Sequence, residues 1–78
     1  MNILDINQSE KYRKLGLNIA YYRKDKGYTQ LKLSELLDIE NTHLQKIETA
    51  KAGVSLDVIF RLSDLLSVPV YKFFEFRD

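Results

Sequence analysis

Four polar residues with a clear capacity for hydrogen bonding lie close together near the middle of the chain: Asn41, Thr42, Gln45 and Lys46. Asn and Gln side chains can bond the edge of adenine, Lys that of guanine, and the Thr methyl group packs against thymine. On a short helix these residues form a polar, varied exposed face of a size that fits the major groove of DNA. An ordinary solvated helix face has the same appearance, so from these residues alone both interpretations stay open.

The sequence contains no arrangement that is typical of an enzyme or a metal site. It has no cysteine and a single histidine, His43, so disulfides and thiolate metal sites are excluded and a zinc site is not expected. No nucleophile–base pair and no phosphate-cradling glycine loop is present. We therefore expect neither enzymatic activity nor a cofactor.

The length of 78 residues predicts one domain with a small core. We expect residues 9–76 to form this domain and residues 1–8 to be an N-terminal extension, which leaves no room for a domain that binds a small-molecule effector. The first residues lack a basic segment typical of a secretory signal, and no apolar run could span a bilayer. These features predict a cytoplasmic protein without a membrane partner.

The net charge of +1 argues weakly against a nucleic-acid partner. The charges are distributed unevenly, however. Between Lys11 and Lys51 there are nine basic residues (Lys and Arg) and five acidic residues. From Ala52 onward there are three basic and four acidic residues. The basic excess therefore lies in the first two-thirds of the chain.

Apolar residues at helical spacing predict five short helices in a compact all-α domain. The first, capped by Ser9, runs to about Lys26 and is stopped by Gly27 in the left-handed conformation. The others are Gln30 to about Leu37 capped by Thr29, about Asn41 to Thr49, Leu56 to Leu66 capped by Ser55, and Val68-Pro69 to about Phe74. The predicted core comprises apolar residues of these helices: Leu15, Ile19, Tyr22, Leu33, Leu37, Leu44, Ile47, Leu56, Ile59, Leu62, Leu66 and Phe73.

Residues 29–49 predict two helices of about eight residues across a turn of roughly three. A resemblance to a known family rests on the order and spacing of residues along the whole chain. These residues are Leu15-Gly16, Ile19, Arg23, Gly27-Tyr28-Thr29-Gln30, Leu33-Ser34, Leu37-Asp38-Ile39, Leu44, Ile47-Glu48, Lys51, Ser55-Leu56-Asp57 and Leu62-Ser63-Asp64 with Leu66. Over about 60 of the 78 residues, the chain resembles helix-turn-helix regulators of the phage-repressor and Cro/C1 type, the XRE group. The resemblance implies a lambda-repressor-like five-helix bundle that binds double-stranded DNA and regulates transcription.

The resemblance also implies roles for individual residues. Asn41, Thr42 and Lys46 match base-reading positions, with Gln45 beside them. Three residues match positions that contact phosphate: Gln30, His43 and Lys51. An exposed surface histidine is an equally good interpretation of His43. Arg23 and Glu48 match a structural ion pair that fixes the third helix against the first.

The sequence departs from the family pattern at several positions. Asp38 and Ala50 replace glycines, and Ser34 replaces a small alanine that it can mimic. Asp tolerates the left-handed conformation better than most residues. Glu40 begins the third helix where Ser or Thr is common, and its carboxylate suits a helix N-terminus but would repel phosphates. These changes leave the fold in place and bear on the affinity for DNA.

The C-terminal third carries more large apolar residues than one small core needs. The residues in excess are Phe60, Leu65, Tyr71, Phe74 and Phe76. A contiguous exposed patch of this kind predicts a homodimer interface, although some of these side chains could simply cover the core. A twofold dimer would place its recognition helices about 34 Å apart on a palindromic operator.

The short chain and its apolar ending also resemble the stand-alone controller proteins of restriction–modification systems. Phage repressors and antitoxins share the same domain. The alternative function is therefore a protein-binding module, such as an antitoxin that uses the fold mainly to hold a partner protein. The extra aromatic residues and Glu40 favour this alternative.

Overall fold

The computed structural model describes residues 6–76, which form five helices without a β-strand in that range. The helices are α1 (Ile6–Asp25), α2 (Gln30–Leu37), α3 (Asn41–Glu48), α4 (Leu56–Leu66) and α5 (Val70–Phe73). The all-α prediction is therefore confirmed. Most of the predicted N-terminal extension lies outside the described residues. No helix in the described part of the chain is both long enough and apolar enough to cross a membrane.

Side-chain caps explain where α2 and α4 begin. The Thr29 hydroxyl accepts the Lys32 N–H at 3.0 Å, and the Ser55 hydroxyl accepts the Val58 N–H at 3.1 Å. Each bond satisfies one of the backbone donors left free in the first helical turn. Both predicted caps are confirmed.

The predicted cap at Ser9 is wrong, because α1 already begins at Ile6. Nothing between Ile6 and Ser9 is a glycine or a proline, so the chain extends the helix past the serine. A serine that could cap a helix therefore lies within one instead, since such residues are tolerated in helices at small energetic cost.

Four residues with positive backbone φ angles follow the ends of helices α1 to α4. Gly27 has φ +81°, as its predicted left-handed conformation requires, and Asp38 has φ +56° at the turn between α2 and α3. Ala50 follows α3 with φ +61°, and Ser67 ends α4 with φ +54°. Three of these four positions thus hold residues with a Cβ atom in a conformation that favours glycine.

The core is built from buried aliphatic residues of α1 to α4, together with Val68, around Phe73 of α5, which is fully buried. One predicted core residue is misplaced: Leu56 is 65% exposed, whereas Val58 is 5% exposed. Leu56 is the first residue of α4. The inner face of that helix instead follows Val58, Leu62 and Leu66 at intervals of four residues, so Leu56 projects away from the core.

The helices pack so that α2 and α3 form a pair supported from two sides. Helix α1 packs against α3, α4 packs against α2, and the short α5 lies against α1 and α4. The described domain measures 32 × 25 × 19 Å. This arrangement covers one face of α3 and leaves the opposite face open.

Candidate nucleic-acid interface

Helix α3 has one buried face and one exposed polar face. Leu44 and Ile47 are buried in the core. Thr42, Gln45 and Lys46 are exposed, because their positions fall on the opposite side of a helix with 3.6 residues per turn. Three of the four predicted base-reading side chains are therefore presented together to the solvent.

The fourth predicted base reader, Asn41, is only partly exposed and is the first residue of α3. Its Oδ1 atom is buried without a hydrogen-bond partner among the described residues. A buried carbonyl oxygen is normally satisfied. Asn41 thus lies at the edge of the exposed row rather than within it.

The structure brings Arg23 of α1 and Glu48 of α3 together in a buried ion pair. Arg23 Nε donates to Glu48 Oε2 at 2.6 Å, and Arg23 Nη2 donates to Glu48 Oε1 at 3.1 Å. The remaining guanidinium nitrogen, Nη1, donates to the Tyr28 carbonyl at 2.8 Å. The two parallel bonds fix the carboxylate in the guanidinium plane, so the last residue of α3 is oriented by α1.

Gln30 joins this network. Its Nε2 atom donates to Glu48 Oε1 at 2.8 Å, which links the first residue of α2 to the last residue of α3. One N–H of the amide is thereby used, and no pattern in the sequence indicates this bond. Whether Gln30 also contacts phosphate stays a prediction.

The other predicted phosphate contacts, His43 and Lys51, are exposed. Lys51 follows α3 closely, since its backbone N–H donates to the Lys46 carbonyl at 2.7 Å. Glu40 is the N-cap residue of α3, but its side chain makes no capping bond. The carboxylate therefore does not cap the helix, while its negative charge lies at the N-terminus of α3 as expected.

Arg61 supports the turn between α2 and α3, a role that the sequence did not indicate. Its Nη1 atom donates to the carbonyl of Leu37, the last residue of α2, and its Nη2 lies 3.0 Å from Asp57 Oδ2. A cationic donor satisfies a carbonyl that the helix end leaves free. Helix α4 thus stabilises the geometry of the turn.

Two residues of α1 hold neighbouring elements in place. Gly16 lies against the last turn of α3, where an added Cβ atom would meet the Ile47 carbonyl oxygen at 2.6 Å. Asn18 Nδ2 donates to the Phe73 carbonyl at 2.9 Å and to the Glu75 carbonyl at 3.2 Å. A glycine inside a helix, where alanine is favoured, is a signal that could have indicated the first of these.

Most of the predicted dimer residues are exposed. Phe60, Tyr71, Phe74 and Phe76 are 37–57% exposed, and the rings of Phe74 and Phe76 lie 6.4 Å apart. Leu65 is only partly exposed and packs against the core. Phe74 and Phe76 also line an apolar groove of about 370 Å³ between α1 and α4.

Among the described residues, no group of three or more His, Cys, Asp and Glu side chains is placed to hold a metal ion.

Comparison with known proteins supports the assignment of the fold. The structure is similar to the crystal structure of the restriction–modification controller protein C.AhdI from Aeromonas hydrophila, with 25% identity and a TM-score of 0.78, covering 83% of this chain and 98% of that one. It is also similar in fold to the hypothetical transcription factor NHTF from Neisseria, with 21% identity and a TM-score of 0.78, covering 85% of this chain and 76% of that one. No curated protein matches the sequence significantly.

The helix-turn-helix family model HTH_3 matches residues 19–73. The match extends from the last third of α1 to the end of α5, and so includes the pair α2–α3, the ion pair between Arg23 and Glu48, and the exposed face of α3. The chain therefore belongs to the XRE-type helix-turn-helix family of DNA-binding transcription regulators.

Proposed function

We propose that the protein is a sequence-specific transcription regulator that binds a palindromic operator as a homodimer, with α3 in the major groove. The observation that carries this proposal is the exposed row of Thr42, Gln45 and Lys46 on a helix whose opposite face is fixed to the domain. Base readout requires side chains of this kind on a support that does not move.

The chemistry of this row suits base edges. Gln45 can form two hydrogen bonds with adenine, Lys46 can donate to guanine, and the methyl group of Thr42 can pack against thymine. Helix α2 begins beside the end of α3, because Gln30 bonds to Glu48. Its N-terminal backbone N–H groups are suited to a phosphate next to the groove that α3 occupies.

The exposed aromatic side chains support a dimer on the side formed by α4 and α5. Phe60, Tyr71 and Phe74 are each more than 40% exposed, and exposed apolar patches on small domains commonly mark interfaces. The longest dimension of the domain, 32 Å, is close to the roughly 34 Å of one DNA turn. Two copies related by a twofold axis therefore have a suitable size for successive half-sites.

The test is footprinting of the purified protein on DNA from the region upstream of its own gene, at moderate salt and with competitor DNA. We expect a protected palindrome with half-sites about one helical turn apart. The variant Gln45→Ala/Lys46→Ala should lose protection. Arg13→Ala removes an exposed cation of α1 that pairs with Glu10 and is the control that should keep it. Equal protection by both variants would contradict the proposal.

A second candidate function rests on a separate observation. Leu17 and Tyr21 are 53% and 62% exposed on the outer face of α1, away from α3. This face favours a partner protein, as in an antitoxin. Two measurements of DNA binding separate the two functions: the slope of log affinity against log salt and the preference for one sequence. A regulator that makes several phosphate contacts should show a steep negative slope and should prefer its operator. A module that mainly holds a protein would bind DNA weakly and without preference.

A further inference from the structure

Helix α1 approaches the end of α3 unusually closely at Gly16. A Cβ atom at this position would lie 2.6 Å from the Ile47 carbonyl oxygen and 2.7 Å from the Glu48 carbonyl oxygen, closer than real Cβ contacts allow. Both obstructing atoms belong to the backbone, so no side-chain rotation can relieve the contact. The two helices can reach this separation only with glycine at position 16.

The glycine is not needed for its conformational freedom. Gly16 lies in the interior of α1 and is not among the residues with positive φ. Glycine is less favourable than alanine inside a helix, because it loses more chain entropy on folding. The close approach to α3 therefore explains its presence at this position, and weak Cα–H···O contacts commonly accompany such approaches.

Glu48 is held by α1 at two points. Its backbone carbonyl packs against Gly16, and its carboxylate accepts two hydrogen bonds from Arg23, seven residues further along the same helix. The contact at Gly16 sets the distance between the helices, and the bonds from Arg23 set the rotation of the last turn of α3. Adding a Cβ at position 16 would push the backbone of Glu48 away while its side chain stays bound, so α3 would tilt.

A tilt at this end moves the base-reading face. Helix α3 has eight residues and is roughly 12 Å long, so a change of angle at Glu48 is carried to Thr42 at the other end. Hydrogen bonds to base edges tolerate displacements of only about 0.5 Å. Contacts with phosphates made by Lys51, on its flexible side chain, tolerate more.

We propose that Gly16 is a positioning residue for sequence recognition: it sets the pose of α3 on the domain and thereby determines how well the protein distinguishes its operator from other DNA. This inference rests on the proposed function. It predicts that a larger residue at position 16 reduces specificity and leaves non-specific binding intact.

The test compares Gly16→Ala with the parent protein in the Ser67→Gly background. That background should be more stable, because Ser67 has φ +54° at the end of α4 and lies outside α1 and α3. Dissociation constants are measured for the selected operator and for a scrambled duplex of equal length, at the same salt concentration. Gly53→Ala is the matched control, because its Cβ would meet no atom closer than the Tyr12 hydroxyl at 3.4 Å.

We expect Gly16→Ala to lower the ratio of operator to scrambled affinity by at least about tenfold, the effect of losing one good base contact. Affinity for the scrambled duplex should stay within about twofold, since it depends on phosphate contacts. The control should change neither value.

An unchanged ratio of operator to scrambled affinity would overturn the inference. An equal fall of both affinities is such a result, because a merely structural role reduces the folded fraction and so weakens all binding alike. A variant that does not fold even in the stabilised background would also overturn it, since the contact would then serve folding as a whole. A parent protein that does not prefer any sequence would instead overturn the proposed function, and with it this inference.

Discussion

Arg23 Nε lies 2.6 Å from Glu48 Oε2, and the two residues, each 7% exposed, join the first helix to the third. The guanidinium also donates to the Tyr28 carbonyl, and Gln30 donates to the same carboxylate. All charged atoms of the pair therefore have hydrogen-bond partners within one network. This network fixes the end of α3 to α1 and to the start of α2.

Removing one partner of this pair should destabilise the fold strongly. Arg23→Ala leaves the Glu48 carboxylate buried without its cation, and loss of one partner of a buried pair typically costs about 3–5 kcal/mol. That is a large part of the stability of a small domain. Urea unfolding followed by circular dichroism measures the change. The double variant Arg23→Met/Glu48→Leu should be less destabilised than Arg23→Ala, because no unpaired charge remains.

The exposed pair of Glu10 and Arg13 is the control. These side chains are about half exposed, and the hydrogen bond from Arg13 holds the pKa of the Glu10 carboxyl below its usual value. Ion pairs in this setting contribute little to stability, so Glu10→Ala should leave the urea midpoint almost unchanged. Equal effects at Arg23 and Glu10 would contradict the role assigned to the buried pair.

Replacing Ala50 by glycine should stabilise the protein. Ala50 has φ +61° directly after α3, and this conformation costs a residue with a Cβ atom about 1 kcal/mol relative to glycine. Gly27→Ala is the matched opposite change, because Gly27 has φ +81° and its added Cβ would meet no atom within 4 Å. Thermal unfolding should show a higher Tm for Ala50→Gly and a lower one for Gly27→Ala. A lower Tm for Ala50→Gly would show that the Cβ of Ala50 makes contacts that outweigh the strain.

Lys46 and Lys51 should affect DNA binding differently. Lys51→Ala removes a predicted phosphate contact, so affinity should fall for all sequences alike, and the slope of log affinity against log salt should become shallower by about 0.9. Lys46→Ala should also change which bases are preferred, because Lys46 lies in the exposed row of α3. Affinities for an operator and its single-base variants, measured at several salt concentrations, separate the two effects. Identical profiles for both variants would argue against these roles.

Phe74→Glu should convert the proposed dimer to a monomer with weak operator binding. Phe74 is 43% exposed beside Phe76, and a carboxylate there would be desolvated in the proposed interface. Leu17→Glu is the control, because Leu17 is 53% exposed on the outer face of α1. Sedimentation equilibrium reports the mass of each variant. A monomer from Leu17→Glu and a dimer from Phe74→Glu would place the interface on α1 instead.

The parts of the fold that the sequence predicted well are those controlled by local chemistry. Helices α2 and α4 begin at the predicted residues because Thr29 and Ser55 cap them, and they end where Asp38 and Ser67 adopt the left-handed conformation. The start of α1 differs from the prediction because a serine can be either a cap or an interior residue of a helix. The residues before the serine determine which of the two it is. Contrary to the prediction, Leu56 is exposed and not part of the core, because helical periodicity gives the spacing of buried residues but does not show at which residue the buried face begins.

The candidate site could be predicted only in part for a similar reason. The exposed row on α3 and the pairing of Arg23 with Glu48 follow from residue types at matching positions. The bond from Gln30 to Glu48 and the support of the turn by Arg61 join residues that no pattern in the sequence pairs. The glycine at position 16 marks an unusual helix interior, but it does not show which backbone it approaches. Such contacts depend on how the helices pack, which no local pattern encodes.

Selection of bound duplexes from a random pool, with the parent protein and with Gln45→Ala in parallel, shows whether the exposed face of α3 reads DNA bases. We expect the parent to enrich a palindrome with half-sites about one helical turn apart, and Gln45→Ala to relax the preference at one position in each half-site while the spacing is kept. Absence of any enriched sequence, or an identical consensus for both proteins, would contradict the claim that the exposed face of α3 reads DNA bases.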